Sequence, residues 1–127
     1  MTDNNAEQAP AISVQTVVLD TPDPGGLAQF YADLLGWGDP EMDSDWADIK
    51  GPDGTRLSFQ LAPDLTAPSW PDPRVPQQFH IDFQVADLDA AERHAVKLGA
   101  RPIEGPDDNP SFRVYLDPSG HPFCLCR

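Results

Sequence analysis

Basic residues are scarce in this sequence. Its 127 residues hold 8 lysines and arginines against 21 aspartates and glutamates, a formal net charge of −13 at pH 7. Such a surface repels phosphate backbones and anionic lipids, so the composition argues against nucleic acid or a membrane as a partner. The chain also lacks an apolar run close to the roughly 18 residues of a membrane span, and it lacks a signal-peptide pattern. We therefore expect a cytoplasmic protein.

Cysteine is nearly absent as well. Cys124 and Cys126 are the only two. On a strand their Cα atoms would lie about 6.5 Å apart with parallel side chains, which is poor geometry for a mutual disulfide. We expect two free thiols in a reducing compartment. The length suits one domain, which we place at residues 12–127 after a disordered tail over residues 1–11.

The strongest periodic signal predicts a helix that begins after Asp23 and ends at Gly36. Asp23 is a natural N-cap, Pro24 suits the first helical position, and Gly36 suits a left-handed C-cap. Between them runs one apolar stripe: Leu27, Phe30, Tyr31, Leu34 and Leu35. The β-branched residues 12–19 predict a strand before this helix, and residues 46–50 and 55–62 predict a hairpin after it.

The second half of the chain repeats this order. "FHIDFQV" alternates apolar and polar residues like a half-buried strand. A capping box of Asp89 and Glu92 predicts the start of a second helix, which Gly99 ends, and "DPSG" then stands where "GPDG" stood in the first half. Two βαβββ modules are therefore predicted, residues 12–62 and 78–127. Five prolines within residues 63–77 exclude helix and central strand there and predict a connector.

Three stretches resemble the vicinal oxygen chelate superfamily, the group of glyoxalases, bleomycin-resistance proteins and extradiol dioxygenases. They are "LDTPDPGGLAQFYADLLGW" (19–37), "FHIDFQVADLDAAERHAVKLGA" (79–100) and "LDPSGHPFC" (116–124). The resemblance implies an α+β fold in which paired βαβββ modules curl a mixed sheet into a cup with the helices outside. It also implies a homodimer, because an open curved sheet has edges to cover.

Metal enzymes of that superfamily take one ligand from the first strand and one from the last strand of each module. The matching positions here are Thr16 and Ser58 in the first module, and His80 and Cys124 in the second. They offer one good nitrogen ligand and one thiol, whereas zinc needs at least three protein ligands. Further polar residues of the His80 strand would spread over about 13 Å. We therefore expect no metal and no other cofactor.

His80 is the predicted catalytic residue, as a general base or a donor that faces the cup. The alternative is a half-buried histidine bonded to the backbone. Cys124 is a nucleophile if His80 approaches it and otherwise a small core thiol, while His94 and His121 are expected on the solvated surface. Trp70 in the connector is the predicted lid. The predicted ligand-binding residues are Thr16, Ser58, Gln60, Trp70, His80, Asp82 and Cys124.

The function expected from the resemblance is binding of a small, partly aromatic organic molecule in a metal-free cup. Binding would serve sequestration, as in the bleomycin-resistance branch, or acid and base chemistry through His80. The alternatives are a metal-dependent lyase or dioxygenase with an unorthodox ligand set, and a module that only interacts with another protein.

Overall fold

The computed structural model describes residues 10–70, 72–103 and 111–127. The predicted tail over residues 1–11 therefore lies almost wholly outside the described residues. The described part contains two helices and two four-stranded mixed sheets. The α+β class and the curled paired-module architecture are confirmed.

One sheet is built entirely from the first half of the chain. Its elements are β1 (Val17–Thr21), α1 (Pro24–Leu35), β2 (Glu41–Met42), β3 (Trp46–Lys50) and β4 (Arg56–Leu61). The strand order is β1-β4-β3-β2, in which β1 runs parallel to β4 and the other neighbours are antiparallel.

The second sheet repeats this topology in the second half. Its elements are β5 (Ile81–Gln84), α2 (Leu88–Leu98), β6 (Arg101–Pro102), β7 (Phe112–Leu116) and β8 (Pro122–Cys126). The order β5-β8-β7-β6 again places a parallel pair at one edge and antiparallel neighbours beyond it. The same order of elements therefore produces the same sheet twice.

The helix ends follow from local capping chemistry. The Asp23 carboxylate accepts a hydrogen bond from the Gly26 N–H at 3.0 Å, and Gly36 ends α1 with a φ of 69°. For α2 the predicted capping box at Asp89 is wrong, because Asp87 is the N-cap and accepts from the Ala90 N–H at 3.1 Å. Asp89 lies inside the first turn, where its carboxylate pairs with an arginine of β7 instead.

The first strand is shorter than its β-branched sequence suggests. Pairing with β4 begins only at Val17, which lies opposite Leu57. Ile12 and Val14 precede it with 84% of their surface exposed. Strand propensity alone does not hold these residues in a ladder, because β1 is an edge strand and the described chain gives residues 12–16 no backbone partner.

An aromatic core joins the two modules. Tyr31 of α1 stacks on Phe59 of its own sheet at 5.8 Å and meets Phe123 of β8 edge-on at 6.1 Å. All three side chains are at most 1% exposed. The two sheets therefore share one core, and the first helix packs on both. Neither described helix has the length and apolar character needed to cross a bilayer.

Buried polar bonds at the β7–β8 turn add to this junction. The Tyr31 hydroxyl donates to Asp117 at 2.6 Å, and the hydroxyls of Thr21 and Ser119 lie 2.7 Å apart. His121 was expected at the surface, and this expectation is wrong. It is buried, and its Nε2 lies 2.7 Å from the carbonyl oxygen of Asp20. A turn sequence predicts exposure only where no other element packs on the turn, and here the other module does.

Candidate functional site

Each sheet buries one face against the helices and turns the other into the cup. In β3, Ala47 and Ile49 are buried in the core, so Trp46 and Asp48 point to the opposite side. We call this opposite side of each sheet the cup face. Polar side chains gather on it in two groups.

The first group, which we call the hydroxyl cluster, consists of Thr16, Asp48, Ser58 and Trp46. The hydroxyl oxygens of Thr16 and Ser58 lie 2.7 Å apart, and Ser58 donates to an Asp48 carboxylate oxygen at 2.5 Å. The Trp46 indole N–H donates to the same oxygen at 2.9 Å. Ser58 is fully buried, which is tolerable because its hydroxyl has partners on both sides.

Asp48 is the charged centre of the hydroxyl cluster. Partial burial acts to raise the pKa of Asp48, but the hydrogen bonds from Ser58 and Trp46 outweigh it. The positive charges of Arg56 and Lys50 act in the same direction. The net result is a lowered pKa, so the cluster presents a fixed carboxylate beside an aromatic ring at neutral pH.

The second group, which we call the thiol cluster, consists of His80, Asp82 and Cys124. The His80 Nε2 lies 3.3 Å from an Asp82 carboxylate oxygen. Nitrogen, oxygen and the Cys124 sulfur all lie within 4.8 Å of one another. The side chains of His80 and Asp82 are 42% and 58% exposed, whereas Cys124 is buried beneath them. Asp82 therefore stands between the imidazole and the thiol.

Cys124 does not have the properties of a nucleophile. Burial raises the pKa of its thiol to about 12, and the hydrogen bond to the Asp82 carboxylate adds to that effect. A thiol with such a pKa is almost entirely protonated near neutral pH, and the thiolate is the reactive form. Of the two sequence readings, the geometry favours the small buried thiol.

The two clusters occupy equivalent places in the two sheets. Val18 lies opposite Ser58 in the parallel ladder of the first sheet, as Asp82 lies opposite Cys124 in the second. Thr16 and His80 each precede those first-strand residues by two positions. The strand register thus agrees with the pairing of Thr16 with His80 and of Ser58 with Cys124 that the repeat suggested.

Two predicted ligand-binding residues are not members of either cluster, and Gln60 lies beside the first one. Gln60 is exposed one pleat beyond Ser58, opposite Trp46 in the register. Trp70 is half-buried in a turn of the connector. Within the described residues it has no hydrogen bond or ring contact with either cluster. Trp37 packs its indole against Gly51.

A depression of about 420 Å³ lies elsewhere, on the helix side of the second sheet at the start of α2. No predicted site residue lines it. Arg113 lies there and is already paired with Asp89 at 2.9 Å and Glu92 at 3.6 Å. The lining residues are Ala86, Asp87, Leu88, Asp89, Arg113 and Arg127.

The sequence profile of the glyoxalase-like domain matches residues 16–126. The chain belongs to the glyoxalase-like domain family. This assignment and the paired βαβββ modules establish the vicinal oxygen chelate fold that the sequence motifs suggested. No curated protein matches the chain at a significant level.

Solved structures of this family share the fold at low sequence identity. A glyoxalase/bleomycin resistance protein/dioxygenase family enzyme from Burkholderia phytofirmans is 18% identical, with a TM-score of 0.66 over 87% of this chain and 94% of that one. A glyoxalase/dioxygenase from Nostoc punctiforme is 21% identical, with a TM-score of 0.63 over 89% and 88%. A glyoxalase/bleomycin resistance protein from Albidiferax ferrireducens is 15% identical, with a TM-score of 0.64 over 89% and 96%. At these identities the likeness shows the fold alone.

The four positions that hold metal in enzymes of the superfamily do not suit such an ion here. Thr16 and Ser58 are neutral hydroxyls that bond to each other, and Ser58 also donates to Asp48. The two matching positions of the second sheet hold His80 and Cys124 and supply no carboxylate. Open catalytic iron, nickel or manganese sites favour histidine and carboxylate ligands.

Asp48 is the main site residue that sequence reasoning missed. Its signal was the alternation in "WADIK", where Ala47 and Ile49 face the core and so turn Trp46 and Asp48 to the other side. The bond to Ser58 depends on the hairpin register, which pairs Asp48 with Ser58 directly.

Proposed function

We propose that the protein binds a small, partly aromatic organic molecule on its cup face, either to sequester it or to act on it by acid and base chemistry through His80. The observation that supports this most is the pair of hydrogen-bonded clusters at equivalent positions of the two curled sheets. A few polar groups on apolar walls are typical of small-molecule sites.

Each cluster supplies a different kind of contact. Asp48 is an anionic hydrogen-bond acceptor, and the neighbouring Trp46 ring offers a flat apolar surface. On the other sheet, Asp82 lies against one ring nitrogen of the exposed His80 and orients the imidazole. A positioned imidazole can accept or return a proton from a bound ligand. We expect ligands that combine an aromatic ring with a hydrogen-bond donor.

The alternative of a metal-dependent lyase or dioxygenase gains no support from the four superfamily positions, because none of their side chains is a carboxylate. We also propose that the protein works in the cytoplasm as a homodimer. Its excess of acidic residues supports high solubility and weak attraction to nucleic acids.

A ligand screen followed by calorimetric titration tests the proposed function. Compounds that raise the melting temperature would be titrated into wild type and into His80→Ala and Asp48→Ala. Each substitution should weaken binding by about 1–3 kcal/mol if it removes a buried hydrogen bond to the ligand. His94→Ala is the matched control, because His94 lies on the helix side and bonds to the end of α1. Equal affinity in all four proteins would place the ligand elsewhere.

A further inference from the structure

The thiol cluster contains the donor atoms of a metal site that draws on one module alone. It brings a histidine nitrogen, a carboxylate oxygen and a cysteine sulfur within 4.8 Å of one another. Within the described residues, no other group of three such side chains comes this close. Residue spacing along a single strand does not reveal this group, because Cys124 lies opposite Asp82 across the parallel ladder of β5 and β8.

We propose that His80, Asp82 and Cys124 bind a divalent ion of the zinc type. Nitrogen, sulfur and one oxygen ligand, with a fourth position open to solvent, are a donor set that zinc accepts. Bond lengths of about 2.0–2.3 Å place tetrahedral ligand atoms about 3.3–3.8 Å apart. The 3.3 Å between His80 and Asp82 already meets this spacing. The Cys124 sulfur reaches this spacing when the exposed side chains of His80 and Asp82 rotate slightly toward it. The thiol proton passes to solvent as the sulfur binds the ion.

This site shares the positions of His80 and Cys124 with the metal site of the superfamily, but its third ligand is Asp82 and it takes none from the first module. The superfamily takes ligands from both modules. In the first module of this chain, the Thr16 and Ser58 hydroxyls bond to each other and Ser58 bonds to Asp48. Asp82 lies one pleat beyond the superfamily position that His80 occupies. The absence of a cofactor stays a prediction from the sequence, and the following titration decides between that prediction and this proposal. A bound ion occupies a ring nitrogen of His80, so it replaces the acid and base role proposed for His80 and leaves the proposed binding of a ligand for sequestration unchanged.

Titration of metal alone into the full chain tests the proposal without any organic ligand, so its outcome is separate from that of the proposed function. Untagged protein freed of metal by a chelator would be titrated with Zn²⁺ in a calorimeter. One equivalent should bind. Co²⁺, which takes the same geometry, should give a near-ultraviolet charge-transfer band that reports a bond between metal and thiolate.

Matched variants locate the ion. Cys124→Ser should abolish the Co²⁺ band, whereas Cys126→Ser, two residues along the same strand, should keep it. Asp82→Asn should weaken Zn²⁺ binding more than about tenfold, since loss of even an indirect partner typically costs about 10–100-fold. Ser58→Ala, at the equivalent position of the first sheet, should bind as wild type does.

Three results would overturn the proposal: no stoichiometric Zn²⁺ binding, a Co²⁺ band that survives Cys124→Ser, or a band lost equally in Cys126→Ser. Circular dichroism shows whether Cys124→Ser still folds, because Cys124 is buried. If it does not fold, Asp82→Asn decides alone, since Asp82 is exposed and dispensable for the core. Unchanged affinity in Asp82→Asn would then refute the site.

Discussion

Ser58 and Cys124 lie at matching positions on the last strands of their sheets, yet each lies beside an aspartate of a different neighbouring strand. Ser58 donates to Asp48 of the antiparallel strand β3, whereas the Cys124 sulfur lies within 4.8 Å of an Asp82 carboxylate oxygen on the parallel strand β5. In the first sheet the acid is partly covered, and in the second it is open to solvent. The repeated fold therefore carries two unlike half-sites.

The first prediction concerns Trp70 of the connector. Trp70→Ala should weaken ligand binding by about 1–3 kcal/mol if the indole covers the ligand, because a desolvated aromatic contact is worth that much. Its melting temperature should fall little, since the connector lies outside the core. Calorimetric titration with a ligand from the screen measures the affinity. The matched comparison is Trp37→Phe, which should lower stability and leave affinity intact; the reverse pattern would exclude Trp70 as a lid.

The pKa of Asp48 should lie below the ordinary value of an aspartate. Burial alone would raise this pKa, but hydrogen bonds from Ser58 and Trp46 hold it below 3.8. The stability that this carboxylate adds is present above the ordinary pKa and is lost as the pH falls through the lowered one. A carbon-detected NMR titration should show the Asp48 midpoint below 3.8 in wild type. The midpoint should move upward in Ser58→Ala, and an unmoved midpoint would show that the hydroxyl is not its cause.

The hydroxyl of Tyr31 should stabilise the junction of the modules. Tyr31→Phe leaves the buried Asp117 carboxyl without its side-chain donor and should cost about 1.5–3 kcal/mol in the free energy of unfolding. Tyr115→Phe removes a hydroxyl of the same kind, but its partner Glu92 is only half-buried. We expect a smaller loss there. Urea denaturation of both variants measures the difference, and equal losses would contradict it.

The stability that Asp117 contributes should depend on pH in the opposite direction to that of Asp48. Burial, the largest influence, raises the pKa of Asp117 above 3.8, although Tyr31, His121 and backbone N–H groups favour the ionised form. The folded protein therefore keeps the proton to higher pH than the unfolded chain does. Stability from this group is greatest below 3.8 and declines as the pH rises through the raised pKa.

The variant Asp117→Asn isolates that dependence, because every other titrating group is common to both proteins. The free energy of unfolding of wild type, minus that of Asp117→Asn, should fall as the pH rises through this window and stay level above it. Denaturation curves at a series of pH values measure the difference. A difference that grows with pH would mean that the bonds to the ionised form outweigh the burial.

The homodimer is testable through the open edge of the first sheet. Val17 on the edge strand β1 is 42% exposed, and Val96 on α2 is 43% exposed. If subunits meet along β1, Val17→Lys should raise the dimer dissociation constant, whereas Val96→Lys should not. Light scattering across a range of concentrations measures both. A wild-type mass that stays monomeric at high concentration would refute the dimer.

The sequence predicted those features that depend on near neighbours in the chain. The cap at Asp23, the stop at Gly36 and the paired turns are local backbone requirements, so residue type and spacing suffice to find them. The thiol cluster depends instead on the offset between β5 and β8, strands about 40 residues apart in the chain. No local rule gives that offset. His121 was misjudged for a similar reason, because its imidazole packs against the first module, where it bonds to the carbonyl oxygen of Asp20.

The two equivalent turns differ in what surrounds them. Among the described residues, a side chain at Gly54 would meet no atom within 4 Å, whereas one at Gly120 would lie 2.7 Å from the Ala67 methyl of the connector. Peptide tags and reporter inserts should therefore be accepted at the tip of residues 52–54. The same insert at residues 118–120 would push apart the connector and the buried Asp117. Anyone labelling this protein for imaging or immobilisation should enter through the first turn and leave the second untouched.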